Sequence, residues 1–153
     1  MTFMELQDSL LRETSDVLKD MVTYTADGNK RVGFTGYKNL LPPLKTDDES
    51  EEQLFPYFII RPYSGKTQDD EDCWHVTLDI LLGVYDDTNV GHERLLTAVQ
   101  RIVNRFTEDP LMGCFRADQD MEWVLEEEVR EPYYFGGVSI TFSAPKIQRR
   151  MYE

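Results

Sequence analysis

Apolar residues recur at helical spacing in two stretches of the chain, residues 2 to about 23 and residues 90 to about 106. In each stretch they return every three or four positions, which would make one side of a helix apolar. Thr2 and Glu5 have the spacing of a capping box, and Pro110 prevents the second helix from continuing. The pattern predicts two amphipathic helices. Their apolar faces carry Phe3, Leu6, Leu10, Val17 and Met21 in the first and Leu95, Leu96, Val99, Ile102, Val103 and Phe106 in the second.

Four other stretches have the composition or the alternation of β-strands. They span residues 54–61, 73–85, 121–129 and 134–142. The second stretch alternates most regularly, with apolar side chains at its even positions. We therefore expect the even-numbered face of that strand to lie in the core.

The order of these elements is α-β-β-α-β-β. It predicts an α+β fold, with a mostly antiparallel four-stranded sheet and both helices packed on one face. The polar residues 64–72 would form a long hairpin arm between the first two strands. Residues 26–53 lack periodicity and contain several glycines and prolines, so they are predicted to form one long loop. The chain of 153 residues fits a single domain spanning 1–153.

The first strand is apolar on both of its faces, which is unusual for a sheet that helices cover on one side only. Residues 55–60 are apolar at odd and at even positions alike, and Leu81 and Tyr85 extend the apolar surface on the second strand. Large exposed apolar patches mark partner surfaces. Phe58, Leu81 and Tyr85 are therefore predicted to form a subunit-contact face. Either the 26–53 loop or a neighbouring subunit would cover it.

The acidic net charge of the chain limits the kinds of molecule that it can bind tightly. Asp and Glu number 29 and Lys and Arg number 16, which gives a formal net charge of -13. Tight binding to nucleic acid or to anionic lipid is disfavoured, because both depend on positive charge that neutralises phosphate. No apolar run approaches the ~20 residues that cross a bilayer. Two cysteines and the lack of a leader pattern predict a reduced, cytoplasmic setting.

Candidate catalytic groups are sparse. Cys73 and His75 point to the same side of a strand, but adjacent positions on that side are about 6.5–7 Å apart, which predicts that they do not form a preset nucleophile and base. His92 is expected to lie near a helix start and to face solvent. No residue near Cys114 in the sequence suggests a catalytic partner for it. The sequence predicts no catalytic, cofactor-binding or metal-binding residue, and no enzymatic activity.

Metal and phosphate motifs are also incomplete. Residues 86–91 resemble the start of a calcium loop, but Thr97 occupies the position where a bidentate Glu is required. The acidic runs 69–72 and 126–128 resemble a nuclease metal site only in composition, and solvated charge is the simpler interpretation. Gly136 and Gly137 lie within a strand pattern, which indicates a bulge or a close backbone approach rather than a phosphate loop.

The element order, together with the 54–85 hairpin and the helix at 95–106, resembles the tail terminator or tail completion proteins of long-tailed bacteriophages. The resemblance covers nearly the whole chain and includes the closing segment Tyr133-Tyr134-Phe135-Gly136-Gly137-Val138-Ser139-Ile140-Thr141-Phe142. It implies a phage- or prophage-encoded structural protein that forms a ring, usually hexameric. Such a ring caps the finished tail tube and provides the surface that joins the head. It also implies contacts with the tail tube protein and neck proteins, and a location in the host cytoplasm during assembly and then in the virion tail.

Several interpretations remain open from the sequence. In a ring, Asp69, Asp70, Glu71 and Asp72 would line the bore or an inter-subunit loop and keep passing DNA from adhering; the simpler alternative is that these charges only maintain solubility. Other neck or head-closure proteins fit the same element order. The net charge also fits an acidic inhibitor that mimics DNA, and the acidic clusters allow a carboxylate-dependent hydrolase.

Overall fold

The protein has an α+β fold, as predicted, and the part of the chain that the structure describes contains two helices. The computed structural model describes residues 2–24, 30–43, 54–68, 72–88, 90–128 and 131–146. The helices are α1 (Phe3–Val17) and α2 (Gly91–Glu108). The strands are β1 (Val22–Tyr24), β2 (Lys30–Val32), β3 (Thr35–Lys38), β4 (Tyr57–Thr67), β5 (Cys73–Tyr85), β6 (Leu111–Met112), β7 (Phe115–Leu125) and β8 (Tyr133–Pro145).

The main sheet has six strands rather than the predicted four. Its order is β3-β4-β5-β8-β7-β6, and every pair is antiparallel except β3 with β4, which is parallel. The predicted strands correspond to β4, β5, β7 and β8. Strands β3 and β6 have four and two residues, too few for an alternation of apolar and polar side chains to be recognised. A separate two-stranded sheet pairs β1 with β2.

The first helix is shorter than predicted, ending at Val17 instead of about residue 23. Its start is as expected, because the Thr2 hydroxyl accepts a hydrogen bond from the Glu5 backbone N–H at 3.1 Å. Beyond the helix, Val22, Thr23 and Tyr24 form β1. β-branched and aromatic residues favour strands, and here that local preference prevails over a helical repeat that continues through Met21.

Both helices pack on one face of the sheet and form the main core with it. From the helices this core takes Leu6, Leu10, Leu95, Val99, Ile102 and Phe106, and from β5 the even-numbered residues Val76, Leu78, Ile80, Leu82 and Val84. The predicted core face of β5 is confirmed. Phe106 of α2 and Phe142 of β8 meet edge to face with ring centroids 5.4 Å apart.

The predicted loop at 26–53 is in part regular structure. Residues 30–32 form β2, residues 35–38 form β3, and Phe34 between them is buried in the main core. Gly36 allows β3 to approach β4, because a Cβ atom there would lie 2.4 Å from Cζ of Phe58. Residues 26–29 and 44–53 of the predicted loop lie outside the described residues.

Candidate interaction surface

The face of the sheet turned away from the helices, here called the second face, has an apolar end and a polar end. It is formed by the odd-numbered residues of β5 and by the β4, β7 and β8 residues in register with them. Residues near the end of β5 and the start of β8 are aromatic or aliphatic. Residues near the start of β5 and the end of β8 are polar, so the two ends can serve different purposes.

The apolar end holds an aromatic cluster centred on Phe55. The Phe55 ring centroid lies 4.9 Å from that of Tyr57, 5.2 Å from that of Tyr133 and 5.9 Å from that of Phe135. Phe55 precedes β4 and folds back over it, so the chain itself covers part of this end. The aromatic cluster comprises the buried residues Phe55, Tyr57 and Ile59 and the partly buried Tyr37, Leu41, Leu54, Leu81, Tyr85, Tyr133 and Phe135.

The predicted subunit-contact residues are divided between the two faces. Leu81 and Tyr85 lie in the aromatic cluster and are partly buried. Phe58 lies in the main core instead, with no exposed surface, and pairs with Leu82 on the helix side. A strand that is apolar at both odd and even positions gives no signal for which set faces the helices, and Phe58 was therefore assigned to the wrong face. A contact surface here can include Leu81 and Tyr85 but not Phe58.

The acidic run proposed to line a bore is described at one position only. Asp69, Asp70 and Glu71 lie outside the described residues. Asp72 is exposed, and its backbone carbonyl accepts a hydrogen bond from the Lys146 backbone N–H at 3.3 Å. The hairpin that carries the run is well formed, since β4 and β5 pair as far as Thr67 and Trp74.

At the polar end, the His75 side chain lies between those of Cys73 and Asp118. The Cys73 Sγ atom is 3.8 Å from His75 Nε2, and His75 Nδ1 is 3.6 Å from an Asp118 carboxylate oxygen. Asp118 also accepts a hydrogen bond from the Ser143 hydroxyl at 3.3 Å. An open groove of about 620 Å³, lined in part by His75, Asp118 and Lys66, lies beside them.

The side chains of Cys73 and His75 thus approach more closely than their backbone spacing predicts. Asp118 was not foreseen, because it sits where the β7–β8 register shifts between Ala117 and Met121, and a sequence pattern does not reveal such a shift. The Cys73–His75 contact of 3.8 Å is within hydrogen-bond reach for a sulfur atom, and the His75–Asp118 separation of 3.6 Å is that of an ion pair. The expectation that Cys73 and His75 lie beyond hydrogen-bond reach of each other is therefore wrong, and the absence of a catalytic role for them stays a prediction.

The segment that resembled a calcium loop forms a different structure. Asp86 is buried, and its carboxylate accepts hydrogen bonds from the Thr88 backbone N–H at 2.7 Å, from the Thr88 hydroxyl and from Arg94 Nε. Burial acts to raise the pKa of Asp86, but these hydrogen bonds and the Arg94 charge together leave the pKa below its ordinary value. His92 is exposed and lies edge to face with the Tyr134 ring at 4.9 Å.

Gly136 and Gly137 mark a close approach, one of the two alternatives the sequence allowed. A Cβ atom at Gly136 would lie 2.8 Å from the Val124 carbonyl oxygen, and one at Gly137 would lie 3.1 Å from the Ile80 carbonyl oxygen. The pairing of β8 with both neighbours is regular at these positions. Gly136 faces the helices, where a Cβ would also lie 3.2 Å from Leu95, and Gly137 leaves a depression in the second face.

The described part of the chain contains neither a metal-binding cluster nor a membrane-spanning helix. No group of three or more His, Cys, Asp or Glu side chains there is arranged to hold a metal ion. Neither described helix combines the length and the apolarity that crossing a membrane requires.

Comparison with known proteins adds no assignment. No protein-family model matches the chain, and no curated protein is similar to it in sequence.

Proposed function

We propose that this protein is a structural subunit of a long-tailed bacteriophage, of the tail terminator kind, that assembles as a ring on the completed tail tube. The ring would be hexameric, would stop further growth of the tube and would offer the surface to which the head joins. The proposal assigns no enzymatic activity. It rests on the resemblance in element order described above and on one structural observation, the aromatic cluster.

The aromatic cluster supports association because it lies on the sheet face that the helices do not cover. Phe55 and its neighbours cover the centre of the cluster, but Leu81, Tyr85, Tyr133 and Phe135 keep part of their surface exposed. Tyr and Phe are enriched in the cores of protein interfaces, where an apolar body and a polar edge are both useful. A neighbouring subunit that packs on these residues would complete their burial.

Electron microscopy tests the proposal directly. The protein is mixed with tubes assembled from the tube protein encoded in the same genome, and we expect density at one end of each tube, with rotational symmetry in end views. Tubes whose ends remain bare, at protein concentrations well above that of tube ends, would contradict the proposal.

A matched pair of variants tests the role of the aromatic cluster in that assembly. Leu81→Glu places a charge in the cluster, whereas Leu111→Glu makes the same change on β6, where the side chain is 54% exposed. We expect Leu81→Glu to abolish rings and Leu111→Glu to leave them intact. Thermal unfolding of both variants separates a lost interface from a lost fold. Normal rings from a folded Leu81→Glu protein would show that the cluster is not the interface.

A second candidate function, an acidic inhibitor that mimics DNA, is favoured by a different observation. Asp120, Glu122, Glu126, Glu127 and Glu128 are all exposed along or just beyond β7, and they concentrate negative charge at one side of the molecule. Competition assays with a basic DNA-binding protein from the same host would support this function if the chain displaced DNA. Other neck or head-closure roles would appear as binding to the head-proximal components instead of the tube.

A further inference from the structure

The outer side of β7 is a free strand edge over residues 121–125. Strand β8 pairs with one side of β7, and β6 pairs only with Phe115 and Arg116, so no described strand pairs with the other side beyond them. The Glu126 backbone N–H donates to the Phe135 carbonyl oxygen at 2.9 Å. Because hydrogen-bonding direction alternates along an antiparallel strand, the backbone N–H and C=O groups of Met121, Trp123 and Leu125 point away from β8.

This edge combines exposed apolar side chains with acidic ones. Trp123 is 53% exposed and Val124 is 66% exposed, and the two project to opposite faces of the sheet. Charged side chains, especially lysine, as well as proline and bulges usually protect strand edges. Residues 118–125 contain no lysine or proline; their charged residues are Asp118, Asp120 and Glu122, next to the register shift at 117–121, so the edge repels acidic segments but not basic ones. An added strand would cover apolar surface on both sides of β7 and would satisfy three outward-pointing backbone positions.

A shallow groove of about 190 Å³ lies on the second face beside this edge. Gly137 forms its floor, between Leu81 on β5 and Val124 on β7, because these three residues are in register across the strands. One step along the strands, Asp79 and Glu122 flank Ser139 in the same way. The groove therefore has an apolar part and, about 7 Å away along the strands, a part with two carboxylates.

A lysine or arginine side chain matches both parts of this groove. Its aliphatic stem would cover Gly137 and Val124, and its cationic head would reach Asp79 or Glu122. Within the described residues, neither carboxylate has an ion-pair partner. Self-association at this edge is disfavoured, since a second copy also carries a net charge of -13.

We propose that the free edge of β7 at residues 121–125 binds an extended, basic segment of a different protein as an added strand, with a Lys or Arg side chain in the groove over Gly137. Addition of a strand to an exposed sheet edge supplies affinity through the backbone and specificity through alternate side chains. The inference does not depend on the ring proposed above, because it rests on the backbone edge of β7 and concerns a different partner; the two surfaces adjoin at Leu81, which belongs to the aromatic cluster and also borders the groove.

A short synthetic peptide in which lysine and valine alternate serves as the probe, with calorimetry and amide chemical shifts as readouts. Two control peptides accompany it: one has glutamate in place of lysine, and the other has methylated backbone nitrogens along one edge. We expect only the unmodified basic peptide to bind, and its shifts to be largest at residues 121–125. No binding, or equal binding of the glutamate or methylated peptide, would overturn the proposal.

Variants of the protein separate the backbone edge from the groove. Trp123→Ala and Trp123→Pro both lack the indole, but only the proline variant lacks the outward N–H, and it leaves the pairing with β8 intact. We expect Trp123→Pro to bind the peptide at least about tenfold more weakly than Trp123→Ala, because it lacks one backbone hydrogen bond to the added strand. We expect the double variant Glu122→Gln/Asp79→Asn to bind about tenfold more weakly than the wild type, because hydrogen bonds to charged groups are stronger than those to neutral ones. Equal affinities within either comparison would refute that part of the site.

Two further measurements keep this test decisive. Thermal unfolding shows whether Trp123→Pro is folded, and if it is not, the methylated peptide tests the same hydrogen bonds with the unaltered protein. Sedimentation of the wild type and of Trp123→Ala shows whether the edge is occupied by a second copy. Self-association that Trp123→Ala abolishes would overturn the assignment to a different, basic partner.

Discussion

Replacement of Asp86 tests how the end of β5, the start of α2 and strand β1 are held together. The Asp86 carboxylate accepts hydrogen bonds from Thr88 and from Arg94 Nε, and Arg94 Nη1 also donates to the Val22 carbonyl oxygen at 2.6 Å. The Arg94 guanidinium lies 5.9 Å from the centre of the Tyr24 ring. Asp86→Ala removes the carboxylate that links Thr88 to Arg94, and leaves Arg94 with its own contacts to β1.

The size of the effect follows from burial. The Asp86 side chain is 4% exposed and that of Arg94 is 27% exposed. Removal of one partner from a fully buried pair costs about 3–5 kcal/mol. Because Arg94 keeps some access to solvent and its bond to Val22, we expect a smaller loss, about 2–3 kcal/mol of unfolding free energy. For a chain of this size that corresponds to a fall of about 4–12 °C in Tm.

Urea unfolding followed by circular dichroism measures this loss, with Asp87→Ala as the control. Asp87 is exposed, so its replacement should change the free energy of unfolding by no more than about 0.5 kcal/mol. The Asp86 pKa is lowered in the folded state, so the contribution is complete above the unfolded pKa of about 3.9 and is lost as pH falls through the folded pKa. Equal urea midpoints for wild type and Asp86→Ala at neutral pH would refute the reasoning. A difference that persisted in strong acid would do the same.

Three further predictions concern packing and titration. Gly36→Ala should lower the free energy of unfolding by about 1–3 kcal/mol, because the added methyl group meets the fully buried Phe58 ring; a urea curve unchanged from wild type would contradict this. Burial raises the pKa of Tyr134 in the folded protein. The neutral Tyr134 hydroxyl should therefore contribute its full stability below about pH 10, and this contribution should be lost as pH rises through the folded-state pKa. Alkaline unfolding of the wild type, compared with that of Tyr134→Phe, measures the effect. Cys114 is exposed and Cys73 is partly buried, so an aromatic disulfide reagent should modify Cys114 first, and faster labelling of Cys73 by mass spectrometry would show otherwise.

The long elements of the fold could be predicted because each has enough residues to display its period. Helix α2 has 18 residues and β5 has 13, so repeats of 3.6 and 2 positions are visible in their apolar side chains. Strands β3 and β6 are too short for any such repeat, and β3 also pairs in parallel with a strand more than 15 positions away. The position of β3 depends on tertiary contacts such as those of Phe34 and Gly36.

The sequence could predict that one face of the sheet carries an apolar surface, but it could not predict which residues form that surface. An apolar surface on the second face followed from the composition of residues 55–60, and the aromatic cluster forms such a surface at one end of that face. Which residues of β4 face the helices depends on register, and Phe58 was misplaced for that reason. The position of Asp118 depends on a register shift between β7 and β8, and the groove depends on the absence of a side chain at Gly137. Neither feature produces a periodic pattern in the sequence.

Electrostatics separate the two proposed surfaces and predict opposite responses to salt. The side chains of the aromatic cluster are all uncharged at neutral pH, so packing of copies there is opposed mainly by the net charge of -13 on each chain. Salt screens that repulsion, with a Debye length of about 8 Å at physiological ionic strength, and should strengthen ring formation. Binding of a basic segment at Asp79 and Glu122 joins opposite charges, so the same salt should weaken it. Sedimentation of the protein and calorimetry with the lysine–valine peptide, each at about 50 mM and about 500 mM salt, measure the two trends. If ring formation and peptide binding weakened together, the assignment of self-association to the aromatic cluster and of a basic partner to β7 would have to be withdrawn.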